Sequence, residues 1–332
     1  MNMVVFMIPS YINEWINIIE KMNNVTTYKL AFGRSIIECL KNNKFTCIGD
    51  QVIIDLYDIS ENVLKYYWNQ YYFFKLKQAG PASRNKAVIL EEVKNLIKIY
   101  QNLTNSTYPI WFDLAQKKIK ENSLKEYSSC ISKISKNLKA NPCKYFINVD
   151  GKVSDIYFLE HNKIFIKKDN SKELIQYANI LIMILNFKWS QLLEEYNYAP
   201  KINKKVAGAS QKEIRRGNLK KFISSLILLT NNKPIDFYTG KELSLDDISV
   251  DHVIPWSFMY SNDIWNLVLT TKSNNSKKKN IVPSEEVIVR LKKRNEELLD
   301  LLKDEKLKSS MKEAIENNYV DKFYNNCRYD FN

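Results

Sequence analysis

Asp251, His252, Asn266, Asn275 and Lys278 fall within one stretch, SVDHVIPWSFMYSNDIWNLVLTTKSNNSKKKNIVP, which holds one of only two histidines in the chain. Val250, Val253 and Ile254 flank Asp251 and His252 as a short apolar strand, and Pro255 ends it because proline has no N–H to give a ladder. A polar loop follows. Asn266 then opens a second aliphatic run, Leu267 to Leu269, and Thr271 or Ser273 can cap a helix carrying Asn274, Asn275 and Lys277 to Lys279. On such a helix Asn275 shares a face with Lys278 or Lys279. A hairpin followed by a helix can thus gather Asp251, His252 and Asn275 around one small space. Those groups suit phosphodiester hydrolysis. An imidazole that titrates near neutrality can take a proton from water, while a carboxylate and an amide oxygen can hold a hard divalent cation against a phosphate oxygen.

The order Asp-His, then Asn fourteen residues after the histidine, then Asn-x-x-Lys beginning nine residues later, resembles the HNH (ββα-metal) endonucleases. Within them it is most similar to the HNH domain of RNA-guided CRISPR effector nucleases. The resemblance covers residues 234–284. It implies Asp251 and Asn275 as metal ligands, His252 as general base, Asn266 as the residue that ties down the loop and orients the histidine, and Lys278 as a contact to the phosphate backbone. Adjacent strand residues point to opposite faces, so Asp251 and His252 must sit at a strand end or grip the phosphate from two sides. With asparagine in the third position the site is dominated by oxygen, which favours Mg2+ or Mn2+ over zinc. Upstream, Phe237-Tyr238-Thr239-Gly240-Lys241 resembles the C-x-Y-T-G-K knuckle that opens many of these modules, with Phe237 read at the cysteine position. No structural zinc is therefore expected.

The elements that must position these groups occupy a chain of 332 residues with a formal charge of +13. That excess points to a polyanion, and nucleic acid fits the motif, with DNA favoured over RNA. The basic stretch at 201–221 contains Lys204, Lys205, Lys212, Arg215 and Arg216 against a single acid, Glu213, and reads as a phosphate-binding arm, with Lys277 and Lys279 adding to it from the site helix. Cys39, Cys47, Cys130, Cys143 and Cys327 form no C-x-x-C pair and make neither a zinc site nor a disulfide framework. The apolar opening lacks a basic leader and a cleavage site, and no run reaches membrane-spanning length, so a cytoplasmic protein with no membrane association is expected.

The fold class predicted is mainly α with small β elements (α+β): a helical region at 1–142, an antiparallel meander plus long helix at 143–200, a basic linker and supporting helix at 201–233, the HNH module at 234–284 and a helical extension at 285–332. Apolar periodicity predicts helices over 10–23, 27–40, 85–101 and 171–197, and two more between 108 and 138. The run 52–56 fits either a strand or the approach to a helix. The aromatic segment at 58–77 is apolar nearly all round, which favours core packing over base stacking. Asp150-Gly151 and His161-Asn162 mark turns of the meander, with His161 a solvated turn residue.

Together these readings describe a metal-dependent endonuclease, and the family resemblance implies a setting in restriction or defence against foreign DNA. One such site cuts one strand, so double-strand cleavage calls for a homodimer or two encounters. An RNA-cleaving toxin and a non-catalytic or partner-gated nucleic-acid-binding protein are the alternatives.

Overall fold

A computed structural model describes residues 8–24, 26–78, 87–208 and 217–328. Its side chains separate into two hydrophobic cores. The first gathers the helices Ser10–Lys21, Tyr28–Lys41, Leu56–Tyr67, Val88–Thr104, Leu124–Ala140 and Lys168–Glu194. Periodicity accounts for them. Ile12, Trp15, Ile18 and Ile19 make one buried stripe, and Leu174, Ala178, Leu181, Leu185 and Trp189 make another along the long helix. The aromatic segment is core: Tyr66, Tyr67, Trp68, Tyr72 and Phe74 are all buried, and the helix widens into a π-helical turn over Trp68–Phe73.

A buried polar knot fixes how the helices meet. Arg34 donates from Nε to Glu38 (2.9 Å) and from Nη1 to Asn186 Oδ1 (2.9 Å) and the Val206 carbonyl (2.7 Å), while its guanidinium stacks over Tyr66. Tyr66 closes the loop by donating to Glu38 Oε2 at 2.7 Å. Removing a charge from water is costly unless it is paired in this way, and this one locks the short helix Ile202–Gly208 to the rest.

The β elements are small and antiparallel. Asp150-Gly151 and His161-Asn162 close two hairpins, each with positive φ at both central residues as type I′ turns require. The expected single meander is divided. Lys163–Lys167 pairs on its other edge with Gln51–Asp55, giving a four-stranded sheet in the order Thr46–Ile48, Gln51–Asp55, Lys163–Lys167, Phe158–Glu160. A free edge strand finds a distant apolar partner, and the ambiguous run 52–56 resolves as that strand followed by a helix capped by Asp55. His161 lies exposed in its turn.

The second core joins Val250, Ile254, Leu267 and Leu269 to Leu291, Leu298, Met311 and Phe323. The helices Glu285–Leu299, Glu305–Glu316 and Tyr319–Arg328 thus pack back on the Asp-His hairpin, the last of them from a segment whose sequence carries no signal of it. The supporting helix expected at 222–229 is a series of short turns, Lys220–Phe222, Ile223–Leu226 and Leu228–Thr230, ended by Asn231 and Asn232 at positive φ. Ring contacts join the cores: Phe74 meets Tyr260 at 5.5 Å, and Tyr198 stacks on Phe323 at 5.5 Å.

Candidate active site

Two strands and one helix build the site. Ile248–His252 pairs with Leu267–Thr271 in register Asp251↔Val268 and His252↔Leu267, which puts the Asp-His pair at the strand's end. The helix Lys272–Lys278 follows without a loop, because Thr271 Oγ1 accepts from the Asn274 N–H at 3.0 Å and caps it.

Asn266 sets the path between the strands. At 1 % exposure its amide accepts from the Ile254 N–H (2.8 Å) and donates to the Ile254 carbonyl (2.9 Å), and its own carbonyl accepts from the Val253 N–H (2.9 Å). The two residues after His252 therefore cannot move independently of the second strand. Arg294 and Asn295 hold the turn from behind through the carbonyls of Ile264 and Trp265. Asn266→Ala would leave buried backbone groups unpaired and is expected to destabilise the protein by about 2–4 kcal/mol in denaturant unfolding.

Asp251 is 4 % exposed and both its bonded partners meet Oδ2: the Tyr238 hydroxyl donates at 2.6 Å and the Lys278 ammonium stands at 2.9 Å. Burial and the neighbouring Asp251 charge push the Tyr238 phenol far above its ordinary range, so it stays protonated and donating. Lys278 also donates to the His252 carbonyl at 2.5 Å, bridging the pair. Asn275 comes alongside by donating from Nδ2 to Ser249 Oγ (2.7 Å) and the Val250 carbonyl (3.2 Å), which commits its nitrogen and leaves its oxygen as the donor atom for a cation. His252, 5 % exposed, meets Asn262 Oδ1 through Nε2 at 3.0 Å. Where Asn262 presents its oxygen, Nε2 carries the proton and Nδ1 is the basic nitrogen.

Asp236 braces the knuckle. Its Oδ1 accepts from the Tyr238 and Thr239 N–H groups (2.8 and 3.2 Å), and its Oδ2 accepts from Thr270 Oγ1 (3.2 Å) and Asn274 Nδ2 (3.1 Å). Gly240, at φ +71°, closes the turn by donating to the Asp236 carbonyl. In the C-x-Y-T-G-K register the cysteine position is Asp236 and not Phe237, a correction of one residue that its carboxylate explains. It ties knuckle, strand and helix together.

The structure thus gathers Asp251, His252, Asn266, Asn275 and Lys278 at one junction. Lys277 and Lys279 are exposed beside it, with Lys279 Nζ 2.7 Å from the Tyr108 hydroxyl, and Lys204 is exposed on its short helix. Lys205 departs from the expected phosphate-binding arm: it is 0 % exposed, its ammonium sits 4.8 Å from the Phe258 ring centroid, and Nζ has no hydrogen-bond partner. One face of the helix Ile202–Gly208 must seal against the second core, and Lys205 lies on that face. Lys212, Arg215 and Arg216 lie outside the described residues. The sequence reading missed Asp236, Asn262 and the contact from Tyr238; only the Asp-x-Tyr-Thr-Gly pattern, an Asx-turn signal, could have flagged the first.

A family profile described as HNH endonuclease matches residues 236–284, so the hairpin, helix and knuckle form an HNH endonuclease module. The chain as a whole belongs to the family defined by a domain of unknown function, DUF8808, whose profile matches residues 10–210. The chain is similar to the CRISPR-associated endonuclease Cas9 of Streptococcus mutans serotype c, 42 % identical over 60 residues, which is 17 % of this chain and 4 % of that protein. It is also similar to Cas9 of Listeria innocua serovar 6a, 40 % identical over 70 residues, 20 % of this chain and 5 % of that protein. No solved structure matches significantly. No helix of the described residues is long and apolar enough to cross a membrane.

Proposed function

We propose that the protein is a metal-dependent endonuclease that hydrolyses phosphodiester bonds in nucleic acid, DNA before RNA, in restriction or defence against foreign DNA. One observation supports this reading: Lys278 bridges Asp251 and the His252 carbonyl at the strand end, while Asn275 on the same helix bonds to Ser249 and the Val250 carbonyl of that strand. The defence setting rests on similarity to the CRISPR-associated relatives. The DUF8808 region serves as the unit that presents substrate to the HNH module or controls access to it.

His252 accepts the proton of the attacking water, with Asn262 and the Asn266-braced loop fixing the ring. Asp251 and Asn275 would hold the cation. The donor set fits: Asp251 makes both its bonds through Oδ2, so Oδ1 remains for a ligand, and the Asn275 oxygen is a second hard donor. Two oxygen donors of this kind would leave the rest of a cation's shell to water and phosphate oxygens, as suits Mg2+ or Mn2+ better than zinc. A divalent cation held there stabilises charge on the scissile phosphate and the departing oxygen. Lys278 leaves Asp251 for the phosphate as substrate arrives.

That double duty makes an expected result with opposite signs. Lys278→Gln lowers cleavage by roughly 100-fold, because a charged partner of the phosphate is lost. The same change lowers the metal concentration for half-maximal activity, because the ammonium no longer competes for Asp251. Single-turnover rates against metal concentration measure both. Matched DNA and RNA strands of one sequence decide the substrate. Preferential cutting of RNA replaces the DNA assignment with an RNase, and binding without cutting of either replaces it with a binding protein.

A further inference from the structure

A cavity of about 740 Å3 opens beside the HNH site, between the helix Val88–Thr104 of the first core and the chain that leaves the site helix. Lys94, Lys98 and Gln101 line one wall on a single helix face, and Ile281 and Val282 line the other. Lys98 is exposed and forms no ion pair among the described residues. Lys94 lies over the Tyr71 ring at 5.2 Å and, among the described residues, pairs with Glu91 of the cavity lining at 3.2 Å. Two lysines on this wall therefore stand against one carboxylate among the described residues. The cavity reaches the chain just past the site helix: Asn280 lines it, and Tyr108, also in its lining, carries the Lys279 ammonium 4.1 Å above its ring, one residue after the Lys278 that pairs with Asp251.

We propose that this cleft is the track for the phosphodiester strand flanking the scissile bond, so that the DUF8808 unit and the HNH module clamp nucleic acid between them. The inference rests on reading the HNH site as a nuclease. Lysines on one wall pair with successive phosphates, and the apolar wall of Ile281 and Val282 accepts the sugar faces. An HNH module holds a phosphate and reads few bases, so the clamp supplies affinity and orientation that the module lacks. A free nucleotide offers the same phosphate chemistry, and the experiment separates it from a strand.

The test uses the full chain in a His252→Ala background, with labelled DNA and RNA duplexes and single strands, and with labelled ATP as the free-nucleotide probe. Lys94→Gln/Lys98→Gln is compared with its parent and with Lys117→Gln/Lys172→Gln, an equal charge change at exposed lysines that do not line the cavity. Glutamine keeps helix propensity. The expected result is a roughly 10-fold or greater loss of strand affinity near 0.15 M salt, with a salt slope shallower by nearly 2, and no change in the control. Strand binding equal to the parent in both affinity and slope overturns the clamp and leaves the nuclease reading standing. Loss of ATP binding alone, with strand binding intact, assigns the cleft to a nucleotide and likewise overturns it. A parent protein that binds neither DNA nor RNA overturns both readings.

Discussion

Lys205→Met is expected to stabilise the folded protein by about 2–4 kcal/mol at neutral pH, read as a higher denaturation midpoint. The wild-type ammonium is fully buried without a hydrogen bond, and burial pulls it from the ordinary 10.5 down to about 7. The Phe258 ring offsets a part of this cost. Methionine keeps the length and most of the volume, so no cavity opens. The pH dependence follows from the direction of the shift. Below about pH 7 the residue is charged in both states, and the cost of burying that charge is fully present. Between about 7 and 10.5 only the unfolded state holds the proton, so wild-type stability rises with pH and the advantage of the variant shrinks. A gain that stays constant across this range would contradict the assignment.

The second large effect is on chemistry. His252→Ala is expected to lower cleavage by roughly 100- to 10,000-fold, the range associated with a positioned general base. The loop around the histidine stays held by Asn266 and by Arg294 and Asn295, none of which uses the imidazole, while loss of a buried ring costs about 1–3 kcal/mol of stability, so cleavage is compared at matched folded fractions. Asn262→Ala, which frees the ring without removing it, should fall between wild type and His252→Ala under single-turnover conditions.

How much of this could be read in the sequence depends on how far apart the partners lie. Asp251, His252, Asn266, Asn275 and Lys278 belong to one hairpin and the helix that follows it, so their nearness is a matter of local geometry; spacing points to Asp251, His252 and Asn275, and the parts of Asn266 and Lys278 come from the family resemblance. The buried fate of the aromatic segment was legible for a similar reason, since a helix apolar on every side has nowhere to go but the core. Pairing of Gln51–Asp55 with Lys163–Lys167 was not, because strand partners distant in sequence leave no local signal. Tyr238 reaches Asp251 from outside the hairpin, and Asn262 sits in a polar loop with nothing to mark it. Lys205 misled for a physical reason. A basic run is normally solvated, and only the packing of the short helix against Phe258 shows that one of its members is enclosed.

The two units also share more than a linker. Tyr260, in the loop that carries Asn262 to His252, packs on Phe74 of the first core, and Lys279 rests on Tyr108.

The most direct measurement is conversion of supercoiled plasmid by the purified protein with Mg2+, with Mn2+ and with chelator, beside His252→Ala. The account predicts nicking that requires the metal and disappears in the variant. Cleavage that persists in chelator, or that His252→Ala performs as well as wild type, would contradict it.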